Sequence, residues 1–127
     1  MRNQTDWIRR SRQNKYANKK TTIIFKGKEV SFDSRKEAAR AKELELLEKA
    51  GEIADLKIQT AFTLQPGFRN KDGHWIKAIT YKADFTYFNK DGKEVIEDVK
   101  SPATRKDSVY RLKKKMMAYK GYEITEV

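Results

Sequence analysis

The chain has 127 residues, 38% hydrophobic and 37% charged, with no cysteine and a formal charge of +11 at pH 7. That length supports one modest core. The absence of cysteine excludes disulfides and thiolate zinc sites and fits a reducing cytoplasm. No apolar run is long enough to cross a bilayer, and no basic-then-apolar leader opens the chain. The positive charge is segregated: residues 1–20 hold seven Lys/Arg against one acid, residues 100–120 hold eight against one, and the remainder is slightly acidic. Two basic blocks of this kind suit a polyanionic partner, most simply nucleic acid. A membrane surface fits less well, because neither block presents a wide apolar face.

In chain order, residues 1–20 read as a basic arm without sustained apolar period, anchored at Trp7 and Ile8. TTIIFKGKEVSFD reads as two short strands joined around Lys26-Gly27-Lys28. DSRKEAARAKELELLEKAGEI is the clearest helix. Ser34 and Glu37 have capping-box spacing, Ala38, Ala41, Leu44, Leu46, Leu47 and Ala50 supply an apolar side, and Gly51 is the stop. ADLKIQTAFTLQP alternates as a strand with Leu56, Ile58, Thr60, Phe62 and Leu64 on one face, ended by Pro66. After the loop GFRNKDGH, WIKAITYKADFTYF reads as one long strand that returns through NKDGK into EVIEDVK. Beyond Ser101-Pro102, a helix is expected from about Lys106 to Lys120, with Val109, Leu112 and Met116 as its stripe and Met117 and Tyr119 nearby. Gly121 ends it, and YEITEV is a last short strand. Residues 21–127 thus form an α/β domain with a mixed central sheet, in the order hairpin, then αβββαβ.

The NKDGK turn carries chemical consequences. A three-residue loop with Gly92 at its left-handed position pairs Asn89 with Lys93, and that register sets Asp84 directly opposite Asp98. Side chains alternate, so Lys100 shares the face of Asp98 while Glu97 points away. Opposed like charges destabilise a sheet unless something positive lies between them. Two carboxylates and an ammonium group on one patch suit a hard divalent cation, which could activate water and stabilise a phosphoryl group. The same residues also allow a plain cross-strand ion pair, and a two-residue loop would shift the register by one.

The segments FDSRKEAARAKELELLEKAGEI, KIQTAFTLQP, ITYKADFTYF and VIEDVK, in that order before a basic helix, resemble the PD-(D/E)XK nuclease superfamily. The nearer resemblance is to a phage-borne family of small proteins placed there, related to Holliday-junction resolvases. It covers roughly residues 30–127. Asp84 matches the acid of the superfamily's Pro-Asp, with Ala83 in place of proline, and Asp98-Val99-Lys100 matches (D/E)-x-K. The resemblance implies a restriction-endonuclease-like core, Asp84, Asp98 and the Val99 carbonyl as ligands of Mg²⁺ or Mn²⁺, and Lys100 as catalytic lysine. Glu37, also a capping-box partner, matches the first-helix glutamate that completes the acidic cluster. It further implies cleavage of DNA, branched or duplex, by a homodimer, in the host bacterial cytoplasm if phage-encoded.

Phosphate contacts are expected from Arg9, Arg10, Arg12, Lys19 and Lys20 in the arm, and from Arg105, Lys106, Arg111, Lys113 and Lys114 at the second helix. Gln59 and Gln65, in the ADLKIQTAFTLQP strand, could approach the site or a phosphate, with at least one of them an ordinary polar surface residue. His74 sits in an Asp-Gly-His-Trp turn and reads as a structural or surface residue. Trp75, Phe85, Tyr87 and Phe88 read as core or hairpin packing. The chain has no phosphate-binding glycine loop, no dinucleotide fingerprint and no Ser/His/Asp arrangement. A competing reading is a non-catalytic DNA-binding module that keeps a nuclease scaffold.

Overall fold

A computed structural model describes residues 20–127. The expectations for Trp7, Ile8, Arg9, Arg10, Arg12 and Lys19 therefore lie outside the described residues. The described chain is mixed α/β, with two compact units whose boundary falls between Lys42 and Glu43, inside the first helix.

The first unit contains β1 (Thr21–Phe25) and β2 (Lys28–Phe32), an antiparallel hairpin in which Phe25 pairs with Lys28. Its two turn residues, Lys26 and Gly27, have φ of 50° and 79°. Two successive positive φ values give the turn the twist that antiparallel strands need. Phe25 and Phe32 are buried and meet edge-on, with ring centroids 6.1 Å apart. Helix α1 (Arg35–Lys49) begins in this unit, where the Ser34 hydroxyl accepts the Glu37 amide at 3.1 Å and Lys42 donates to the Ile24 carbonyl.

In the second unit α1 ends at Gly51, whose φ is 77°, with Gly51 donating to Glu48 and Glu52 donating to Leu47. That pair of bonds is the glycine stop expected there. The expected apolar side is corrected, however. Glu37, Ala38, Ala41, Leu44 and Glu45 are buried, whereas Leu46, Leu47 and Ala50 are exposed. Two glutamates therefore displace two leucines from the buried face.

A four-stranded sheet in the order β3-β6-β7-β8 is built from β3 (Ala54–Gln65), β6 (Ile79–Phe88), β7 (Glu94–Asp98) and β8 (Ile124–Glu126). The first three are antiparallel, and β8 runs parallel to β7 after a helical crossover, so the sheet is mixed. The long strand expected from Trp75 is interrupted at Lys77-Ala78: β4 (Phe68–Arg69) and β5 (Trp75–Ile76) form a separate small hairpin. Asn70 organises its turn by accepting the amides of Asp72 and His74, so His74 is a turn residue as its setting suggests. Trp75 is exposed but packs within its hairpin, under the Arg69 guanidinium and beside Gly67, and Phe88 is also exposed, so neither belongs to the core.

After β7 come a single turn, α2 (Pro102–Arg105), capped by Ser101, and then α3 (Ser108–Tyr119), capped by Asp107. The single expected helix is thus two, and its expected stripe is corrected too. Tyr110 and Met117, seven residues apart, are the buried residues of α3, while Val109, Leu112 and Tyr119 face solvent. Lys113, Lys114 and Met116 between the two anchors are half-buried, and Met116, the one residue of the expected stripe that is kept, packs against the core. Tyr110 and Met117 complete a core with Leu64, Tyr81, Ala83, Ile96 and Ile124.

Candidate active site

The turn after β6 closes as the sequence suggests. Asn89 donates to the Lys93 carbonyl at 2.9 Å, and its side chain accepts the amides of Asp91 and Lys93. The ladder runs Phe88↔Glu94 through Phe85↔Glu97, so the next step places Asp84 against Asp98.

The two aspartates interlock through each other's backbone. Asp98 Oδ1 accepts the Asp84 amide at 3.1 Å, and Asp84 Oδ2 accepts the Val99 amide at 2.8 Å. Asp98 Oδ2 accepts the Tyr81 hydroxyl and lies 3.4 Å from Lys100 Nζ. Asp98 is 1% exposed, and the Lys100 side chain only 18%. Burial pushes the Asp98 carboxyl above the usual carboxylate range, and Lys100 and the Asp84 amide oppose that rise. These contacts offset the repulsion that two opposed carboxylates would otherwise bring.

A change of face in the sheet brings Tyr81 to Asp98. Thr86 pairs with Ile96, which packs in the core beside Tyr81 and Ala83. On an unbroken strand, Ala83 and Thr86 would point to opposite faces. The β3–β6 pairing passes from Ile58↔Phe85 to Thr60↔Ala83, and Gln59, at the position between them, has φ of 53°. Thr60 and Thr86 then meet hydroxyl to hydroxyl at 2.8 Å. Consequently Leu56 and Ile58 do not share a face with Thr60, Phe62 and Leu64, which corrects the single face expected of β3. A left-handed residue in a strand leaves no trace in apolar alternation.

Lys100 has a second neighbour. Its ammonium lies 4.6 Å from the centroid of the Tyr110 ring, within cation–π range. The Tyr110 hydroxyl in turn donates to Glu126 Oε2 at 2.5 Å, and Glu126 also holds Lys114 at 3.3 Å and Arg105 at 3.9 Å. The Glu126 carboxyl lies below its usual range, chiefly through the Tyr110 hydroxyl, with partial burial opposing and Lys114 and Arg105 adding. The Tyr110 hydroxyl is pushed upward by burial and then by Glu126.

Asp84, Asp98, Val99 and Lys100 are thus together in the second unit. Glu37 belongs to the first unit, where it is buried in the first turn of α1. Lys20, Arg105, Lys106 and Arg111 are exposed, and Lys113 and Lys114 are half-buried. Tyr81, Tyr110 and Glu126 were missed by sequence reading. Tyrosines in apolar patterns read as core, and only spacing across β7 and β8 could have pointed to Glu126, which pairs with Asp98.

Among the described residues, no group of three or more His, Cys, Asp or Glu is arranged to hold a metal ion. The acid pair supplies two carboxylates. Mg²⁺ commonly takes one or two, completing its shell with water and phosphate oxygens, so this donor set fits that chemistry.

Fold and site together define a mixed α/β protein with a buried carboxylate–lysine cluster at the end of a sheet hairpin. Residues 13–127 match the family described as Protein of unknown function (DUF1064), and the chain belongs to that family. No curated protein and no solved structure matches it. No helix among the described residues is long and apolar enough to cross a membrane.

Proposed function

We propose that the protein is a Mg²⁺- or Mn²⁺-dependent DNA endonuclease that hydrolyses phosphodiester bonds, with branched DNA such as a four-way junction as its preferred substrate. The observation that carries this reading is the Asp84–Asp98 pair, locked through backbone amides with Lys100 at 3.4 Å. Asp84 and Asp98, with the Val99 carbonyl, would hold the metal. When bound, it supplies an activated water and charge stabilisation at the phosphoryl oxygens. Lys100 orients the attacking oxygen or the phosphate, and Tyr81 and the Asp84 amide hold the Asp98 carboxylate in place. The resemblance to junction resolvases supports the substrate, and paired incision across a junction calls for a homodimer.

One observation favours a second reading, a DNA-binding module without catalysis: Asp98 is already satisfied by Tyr81, Lys100 and the Asp84 amide. End-labelled four-way junction, linear duplex and single strand, incubated with Mg²⁺, Mn²⁺ or chelator, separate the two. Paired metal-dependent nicks confined to the junction and absent in Asp98→Asn are expected. Cutting of every duplex would retain the nuclease and reject the junction. Binding without cleavage in either metal would select the second reading.

A further inference from the structure

Three adjoining depressions run along α3. The middle one, about 400 Å³, is lined by Arg105, Tyr110, Arg111, Lys114, Lys115, Ala118 and Glu126. It shares Lys114 and Ala118 with a neighbour of about 470 Å³, and Arg111 and Lys115 with another of about 270 Å³. Four cations therefore line one continuous furrow. Its wall is also the wall of the acid-pair site, because Tyr110 lies under Lys100 with its ring and reaches Glu126 with its hydroxyl.

We propose that this furrow carries the phosphate backbone of the DNA strand that enters the Asp84–Asp98–Lys100 site. The inference rests on the endonuclease reading for its substrate, and it adds the path by which that substrate arrives. Arg105 and Lys114 are tethered by the same carboxylate, so their chains are already ordered before a phosphate arrives. Pre-ordering cuts the side-chain entropy lost on binding. Arg111 and Lys115 are exposed and share two of the depressions, which places their charge where successive phosphates would pass. Such contacts position a strand without reading its sequence, as a structure-directed enzyme requires.

The test is fluorescence anisotropy with labelled four-way junction, duplex DNA and duplex RNA, in chelator, across a salt series. Arg111→Ala/Lys115→Ala is compared with Lys71→Ala/Lys93→Ala, which removes equal charge from the β4–β5 and β6–β7 turns. Each lost phosphate contact lowers the slope of log affinity against log salt by about 0.9. The furrow pair is therefore expected to lower the DNA slope by about 1.8, and the turn pair to leave it unchanged. Equal changes in both pairs, no change in either, or a furrow effect seen with RNA alone would overturn the proposal. Absence of DNA binding by the wild type would overturn both this inference and the endonuclease reading. A furrow-dependent slope in a protein that never cleaves would keep the furrow and reject only the nuclease.

Discussion

Glu97 and Asp98 are neighbours on β7, each 1% exposed, and each accepts a hydrogen bond from a tyrosine: Tyr87 for Glu97, Tyr81 for Asp98. Alternation turns them to opposite faces of one sheet. Glu97 lies across from Phe85, beside its tyrosine. Asp98 instead meets the Asp84 amide, a partly exposed lysine and, beyond that lysine, the Tyr110–Glu126 wall of a basic furrow. Equal burial thus coexists with opposite faces of the sheet and different tyrosine partners. A buried carboxylate becomes a candidate reactive group through a second carboxylate, a cation and a route to the surface, none of which burial alone provides.

The largest expected contrast is in cleavage. Asp98→Asn keeps the size of the side chain and should reduce metal-dependent cleavage by roughly 10²-fold or more, while Glu97→Gln should leave the cleavage rate within a factor of a few. Equal losses in gel-based rate measurements would erase the distinction between the two faces.

Next is Lys100→Met, which removes the cation beside a buried carboxylate. Breaking a buried ion pair from one side costs about 3 kcal/mol, discounted here because the lysine is partly exposed, so a loss of about 1–2 kcal/mol is expected in urea unfolding. A midpoint identical to wild type would mean that Tyr81 and the Asp84 amide suffice to hold Asp98.

The change of face that turns Tyr81 toward Asp98 coincides with the left-handed Gln59. A β-branched side chain is poorly accommodated there, so Gln59→Val should cost about 1–2 kcal/mol and Gln59→Gly should be close to neutral. Thermal unfolding that ranks valine as the better of the two would place the switch elsewhere.

The smallest effect concerns Glu126. Its folded-state pKa is depressed, so the stability it contributes is fully present above its unfolded value, about 4.3, and is lost as pH falls through the folded value. Tyr110→Phe removes the main cause of that depression. The stability gap between wild type and Tyr110→Phe should be widest near neutral pH and narrow below about pH 4. A gap independent of pH would indicate that the hydroxyl contributes through packing alone.

Much of this was legible in residue order. Asn89, Asp91 and Gly92 set a turn whose geometry fixes the register across it, and that register alone opposes Asp84 to Asp98. Ser34 and Gly51 marked the ends of α1 because capping is a local exchange between a few adjacent groups. The basic blocks were visible because charge is counted, not folded.

Phase and partnership across the chain were not legible. Leu46, Leu47, Val109 and Leu112 made stronger apolar patterns than Glu45 and Tyr110, yet the latter are buried. Which side of a helix is covered depends on what the sheet offers opposite it, and Tyr110 is held there by Glu126, sixteen residues away. Tyr81 meets Asp98 across a change of strand face that coincides with the left-handed Gln59 of β3. The sequence by itself determined the local elements, their ends and the hairpin register, since each follows from bonds among near neighbours. Tertiary structure alone decided that the tyrosine meeting Asp98 is Tyr81 and that a basic furrow adjoins it, because those contacts exist only once distant strands and α3 have packed.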